Sequence, residues 1–244
     1  MAAPRLGGDG GDDPAGPGPR ERRRVDSDVR RLQHSRTGPA RRIRWGTGRC
    51  GRLPGISDAI GANPAIVILE PDALAHATEM NETDRAARLA LLGFAYGQLL
   101  QHNPATAVYL DVGNSTWVDP ARVAELLRTV SPDRPVAGIA LNVANRRPDS
   151  EIRAYATRIQ QAYGHQLFVM IDSLVNGAPN TANLIDWCNP HGQKLGTLPS
   201  TRFDRDAMVE PAFVKTPGQS DGRCGTSEQP AGEFDRQLLL DQLS

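Results

Sequence analysis

A repeating unit constrains this chain more than any other feature: a short apolar run, a polar residue at its end, then a segment with helical spacing. Ala65–Leu69 (AIVIL) is a continuous apolar run ended by Glu70-Pro71-Asp72, the pattern of a buried parallel strand. Thr106–Leu110 ends at Asp111, Val136–Leu141 at Asn142, and Leu167–Ile171 at Asp172. Ala212–Lys215 reads as a fifth strand and leads into Pro217–Gly222, which contains Asp221. Between the first two strands, a helix starting near Asn81 or Thr83 aligns Leu89, Leu92, Tyr96 and Leu99 on one face. Asp119-Pro120 supplies an N-cap and first-turn pair for a helix through Val130. Another helix opens at Asp149 or Ser150, carries Ile152, Tyr155, Ile159 and Tyr163 as its stripe, and stops at Gly164. Glu233–Leu243 suits a short last helix.

Strand and helix alternating at intervals of roughly 30–40 residues mark βα units and a parallel sheet. Asp72, Asp111, Asn142, Asp172 and Asp221 each fall at or just beyond the C-terminal end of a predicted strand. In a β/α barrel those ends converge on the face that carries the active site. A doubly wound open sheet also binds ligands at strand ends, so both architectures fit, with the barrel favoured. No predicted strand leads into a GxGxxG or Walker-type phosphate loop.

The 28 basic and 28 acidic residues give a net charge of +0, which argues against nucleic acid or a polybasic membrane surface as partner. No run approaches the roughly 18 apolar residues of a membrane span. The charge is unevenly spread, however. Residues 1–53 hold GGDGGDDPAGPGP and the basic runs RERRR and ARRIR, with too little apolar surface to offset their ordering entropy. The chain thus divides into a disordered or non-homologous segment, 1–56, and a patterned region, 57–244. The first 30 residues contain no apolar h-region, so as written they carry no signal peptide.

Cys50, Cys188 and Cys224 form no CxxC pair and stand apart from clustered histidines, so no zinc site is expected. Cys188 and Cys224 each lie in a Gly/Pro/Asn-rich loop, where a disulfide and free thiols both remain open. His76, His102, His165 and His191 have no triad spacing. Several carboxylates around one cleft, without metal-spaced histidines, suit acid/base chemistry on a neutral substrate with no cofactor and no metal. Glycoside hydrolysis needs one protonated carboxyl for the leaving oxygen and one ionised carboxylate. Asp72 follows an apolar strand and a proline, where burial would keep it protonated. Trp117 and Trp187, in loops near the same strand ends, would offer flat faces for sugar rings. Any one of these aspartates alone reads as a helix cap or turn former. The residues themselves therefore reach a β/α enzyme with a carboxylate-rich cleft.

Five strings, in order, carry the reading further. They are Val67–Leu74 (VILEPDAL), Val108–Asn114 (VYLDVGN), Leu141–Asn145 (LNVAN), Asp186–Pro190 (DWCNP) and Val214–Gly222 (VKTPGQSDG). Together they resemble the motifs of glycoside hydrolase family 6 over about residues 57–244. The resemblance implies a distorted β/α barrel of parallel strands that cleaves β-1,4-glucans with inversion, as an endoglucanase or cellobiohydrolase. Its polysaccharide substrate would be its partner, and it would act as a secreted monomer. By the same resemblance Asp72 is the general acid, Asp111 supports the charge arrangement in the cleft, and Asp221 stands on the base side. Asn142, Lys215, Trp117 and Trp187 match positions that line sugar subsites, and Cys188 pairs with Cys224. The short loops around these cysteines favour an open, endo-acting groove.

The departures from the family pattern carry expectations too. Residues 1–56 match neither the first-strand tyrosine nor the Arg-Asp-Cys segment that family members carry. The barrel is therefore expected to lack its first strand, as a misassigned start or a frame disruption upstream would produce. Val175 stands where the family's Asp-x-x-Arg-Asn-Gly segment places an arginine, which predicts that Asp221 loses a charge partner. A catalytically inactive remnant is the alternative that these departures raise.

Overall fold

The computed structural model describes residues 52–178, 188–199 and 209–244. The expected disordered segment up to residue 51, with Cys50 in it, and both Asp186 and Trp187 lie outside the described residues. Five parallel strands form one sheet: β1 (Ala65–Leu69), β2 (Thr106–Asp111), β3 (Gly138–Leu141), β4 (Phe168–Asp172) and β5 (Val209–Ala212). Their spatial order is their sequence order, β1-β2-β3-β4-β5. No strand order reverses, so the sheet has no topological switch point. Right-handed crossovers then keep every helix on the same side. That decides between the two architectures: the sheet curls as part of a barrel, with helices outside.

Helix α1 (Arg52–Ile60) straddles the boundary expected near residue 56. It is tied to the rest by Asn103, whose Nδ2 donates to the Ser57 and Gly61 carbonyls at 2.8 and 2.9 Å. The short helix α2 (Ala73–Ala77), not foreseen from the spacing, follows β1 directly and is almost wholly buried. Helix α3 (Glu82–His102) starts at Asn81, whose side chain accepts from the Asp84 amide, and buries the predicted stripe of Leu89, Leu92, Tyr96 and Leu99. Helix α4 (Pro120–Val130) has Asp119 as N-cap and proline in its first turn. Helix α5 (Asp149–Tyr163) ends at Gly164 in the left-handed region, and α6 (Arg236–Leu243) is capped by Asp235.

The main core lies between the outer sheet face and these helices, where Leu110, Ile139, Leu141 and Ile171 meet Leu99, Leu126, Leu127, Ile152 and Ile159. A second, smaller cluster of Tyr109, Ala140, Val143 and Met170 sits on the concave inner face. The fifth strand differs from the expected Ala212–Lys215: it is Val209–Ala212, with Ile171 opposite Pro211. Pro211 argues against a strand in the sequence alone, but β5 is an edge of the described sheet, where a missing N–H is tolerated. Pairing ends because β4 ends at Asp172, whose carboxylate Oδ1 accepts from the Val214 amide at 3.5 Å.

Candidate active site

The strand-end aspartates are gathered on one face, as the spacing required, but each is held differently. Between β1 and α2 the chain turns through Glu70 (φ 46°) and Asp72 (φ 67°), both left-handed and neither a glycine. Such residues persist only where their surroundings fix them. Here the Asp72 amide donates to Asp111 Oδ1 at 2.8 Å, and the Asp72 carbonyl accepts from the His76 amide at 2.9 Å. Asp72 is 8% exposed and Asp111 1%. Asp111 Oδ1 also accepts from the Gly113 amide at 3.1 Å. Asp111 thus positions the backbone that carries Asp72.

Trp117 lies against Gly113, just beyond the end of β2. A Cβ on Gly113 would come within 3.0 Å of the indole ring, and Gly113 itself sits at φ +77°. The indole Nε1 donates to Glu79 Oε1 at 3.1 Å, and the His76 ring meets the indole edge-on at 4.8 Å. The Trp117 and His76 hydrogen bonds hold the Glu79 carboxyl below its ordinary range. The sequence places Trp117 near the strand ends, gives His76 no triad spacing and does not single out Glu79, although both lie at helical spacing just after the Asp72 turn.

Asp221 sits at the opposite end of the row in a ring of donors. Its Oδ1 pairs with Lys215 Nζ. Its Oδ2 accepts from Arg146 Nη2 at 2.9 Å and from the Asn189 amide at 3.0 Å. Burial pushes this carboxyl up, but Lys215 and Arg146 together outweigh it and hold Asp221 below the usual carboxylate range. This overturns the expectation that Val175 would leave Asp221 short of a charge partner. Val175 is buried, and the second cation arrives from the β3 end instead. Arg146 follows directly on the Leu141–Asn145 string but was not singled out there. Its partner lies 75 residues away, a pairing no local spacing reveals.

Asn142 is fully buried: its Nδ2 donates to the Asp172 and Arg147 carbonyls and its Oδ1 accepts from the Arg147 amide at 3.1 Å. Its hydrogen bonds go to the loop backbone rather than to the cleft surface. Asp172 holds the same loop, with Oδ2 accepting from the Ala144 amide at 2.9 Å and Oδ1 from the Leu174 amide at 3.0 Å. Burial dominates those amides and raises the Asp172 carboxyl to about 6.

Cys188 and Cys224 are disulfide-bonded, with Cα atoms 5.9 Å apart. The bond closes the loop around Asn189, another residue the sequence reading did not single out. Asn189 Oδ1 accepts from the Asp221 amide at 2.8 Å and its Nδ2 donates to the Gly222 carbonyl at 2.8 Å. Gly225, at φ +58°, is the one residue type that fits here: a Cβ would stand 2.2 Å from the Cys188 carbonyl oxygen. Among the described residues, no group of three or more His, Cys, Asp or Glu side chains is arranged to hold a metal ion.

The family profile described as Glycosyl hydrolases family 6 matches residues 54–237. The chain belongs to that family. It is 36% identical over 180 residues to Endoglucanase 1 of Streptomyces halstedii, a match covering 72% of this chain and 54% of that protein. To Endoglucanase A of Cellulomonas fimi it is 33% identical over 186 residues, or 76% of this chain and 39% of the relative. The chain thus spans about half the length of the curated relatives it matches. Among solved structures, it resembles the endoglucanase Cel6 from Mycobacterium tuberculosis in complex with methyl-cellobiosyl-4-deoxy-4-thio-β-D-cellobioside. That match has a TM-score of 0.72 at 34% identity and covers 82% of this chain and 68% of the other. A GH6 enzyme from Orpinomyces sp. Y102 shares the fold at a TM-score of 0.72 and 19% identity. The five parallel strands are accordingly part of the family's distorted α/β barrel.

Proposed function

We propose that this family 6 protein hydrolyses internal β-1,4-glucosidic bonds of cellulose and related β-glucans, with inversion of configuration. The observation that carries the reading is the Asp111 carboxylate grasping the strained Asp72 turn, on the face where Asp221 also lies. Asp72 donates a proton to the leaving glycosidic oxygen as general acid. Asp111 keeps that acid aimed by fixing its backbone. Asp221 stays ionised, because Lys215 and Arg146 stabilise its charge. A carboxylate held below its ordinary range is a weaker proton acceptor. Its contribution on the base side is therefore electrostatic: it orients water and stabilises positive charge developing on the sugar ring. Trp117, set by Glu79 and His76, offers a stacking face to a glucose unit, and Lys215 lies beside Asp221 to meet sugar hydroxyls. Endoglucanase relatives and the cello-oligosaccharide analogue held by the similar Cel6 structure support a glucan substrate and internal cleavage.

Secretion fits the same reading, since the Cys188–Cys224 bond persists in oxidising surroundings. No helix among the described residues is long and apolar enough to cross a membrane.

The test is reducing-sugar release from carboxymethyl-cellulose by the full chain beside Asp72→Asn, with proton NMR of the first product anomer. Release that disappears in Asp72→Asn, an early α-anomer and a rapid fall in viscosity are expected. A folded wild-type chain that releases no sugar sinks the reading. An early β-anomer sinks the inverting part alone.

A further inference from the structure

Arg146 is a buried cation that none of the sequence motifs assigned. Its side chain is 7% exposed and its Nε is buried without a hydrogen-bond partner. A guanidinium does not lose its charge in a protein, so burial at this depth requires a compensating anion. Asp221 supplies it at 2.9 Å, and Asp172 adds a second negative field. Among the described residues, the charged groups acting on Asp221 are Lys215, from the segment after β5, and Arg146, from the segment after β3.

A purely mechanical role for the pair fits the geometry poorly, because neither loop needs the bond to stay in place. The Arg146 loop is pinned on its own. The Ala144 amide donates to Asp172, the Asn145 amide to the Asn142 carbonyl at 2.8 Å, and the Arg147 amide to Asn142 Oδ1. Two left-handed residues, Asn142 (φ 63°) and Ala144 (φ 54°), fold that loop tightly enough to turn residue 146 inward. The Asp221 loop is fixed by the Cys188–Cys224 bond and by reciprocal bonds with Asn189. What Arg146 adds to two already rigid loops is charge.

We propose that Arg146 is a positioning residue for the cleavage reaction: delivered by the Asp172-pinned loop after β3, it keeps the Asp221 carboxylate ionised. The inference rests on the hydrolytic reading above for its catalytic meaning, but the charge claim can be read without any turnover. Protonated Asp221 would surrender its salt bridges to both cations and its place beside the reacting sugar. Arg146 therefore extends the acidic range over which the site is assembled.

The experiment follows the Asp221 carboxyl carbon by NMR titration in the full chain labelled with carbon-13 aspartate, its resonance assigned with Asp221→Asn. Wild type, Arg146→Met and Arg146→Lys are compared. Removal of the charge is expected to raise the Asp221 inflection by about one pH unit or more, whereas the lysine variant stays close to wild type. The acid limb of kcat/KM on carboxymethyl-cellulose should move upward by the same amount, with KM little changed at neutral pH. An Asp221 inflection unchanged in Arg146→Met overturns the proposal. If Arg146→Met fails to fold, Arg146→Gln carries the comparison, since it keeps a donor for Asp221 without the charge. The same rise supports the proposal, and no rise overturns it. A wild-type chain without activity defeats the hydrolytic reading, yet leaves the titration to decide whether Arg146 controls the charge on Asp221.

Discussion

At the β1–β2 end of the carboxylate row, Asp72 and Asp111 are placed by backbone: a strained turn, two amides on one oxygen, and a sheet beneath. At the other end Asp221 lies beyond the last strand and is placed mainly by side chains, with Lys215, Arg146 and Asn189 converging on it from three segments. The first arrangement suits a carboxyl that must change protonation state during turnover. The second suits one that must keep its charge. Burial alone does not separate the two, since all three aspartates are largely out of solvent. At Asp221 the structure adds two cations, Lys215 and Arg146, which accompany the buried carboxylate.

The largest expected break in that comparison is chemical. Asp72→Asn should lower glucan hydrolysis about 10²–10⁴-fold, the usual scale for a general acid, while urea unfolding stays near wild type. A stable Asp72→Asn chain with full activity would remove Asp72 from the acid role. Asp221→Asn should also lower hydrolysis, by about 10²–10³-fold for a lost electrostatic group, and unlike Asp72→Asn it should show in stability as well. It strands Arg146 as a buried cation and should cost about 3–5 kcal/mol in urea unfolding. A loss below about 1 kcal/mol, the scale of a surface ion pair, would show that this end is looser than its geometry.

Cys188→Ser with Cys224→Ser removes a bond between residues 36 positions apart. By loop-closure entropy this costs about 4 kcal/mol. The same loss should appear when wild type is unfolded under reducing conditions.

A smaller effect concerns pH. Asp172 has its carboxyl raised from 3.8 to about 6 by burial. The folded state therefore holds a proton that the unfolded state has released, and the associated stability is greatest below about pH 4. It is lost as pH rises through 6, by roughly 2–3 kcal/mol at most. Asp172→Asn should flatten that slope in urea midpoints measured between pH 4 and 7, and an unchanged slope would assign it elsewhere. Asp221 works with the opposite sign: its carboxyl is depressed, so its stability is present above the ordinary carboxylate range and lost only on further acidification. The smallest change is Trp117→Ala, expected to raise KM about two- to tenfold through lost stacking. A lower kcat at unchanged KM would instead tie Trp117 to the chemistry through Gly113 and His76, which it packs against.

Much of this protein is readable from its residues because the signals are local. Apolar runs of strand length, Asp119-Pro120, Asn81 and Gly164 act within a few residues of themselves, and the structure uses each as its chemistry demands. The polar residue closing each strand is local too, and a parallel sheet carries all of them to one edge. Local signals mislead where context outweighs them. Pro211 stands inside a strand because β5 is an edge of the described sheet, and the Asn142 side chain, on a left-handed residue, bonds the Arg147 and Asp172 backbone.

The sequence by itself determined the alternation of strands and helices, the family, the aspartates at the strand ends and the disulfide pair its motifs imply. Only the tertiary structure decided which charges those aspartates meet. Ionisation depends on groups within a few ångströms in space, and those groups come from distant segments. Val175 reads as a lost cation only until the chain folds and brings Arg146 to Asp221 from 75 residues away.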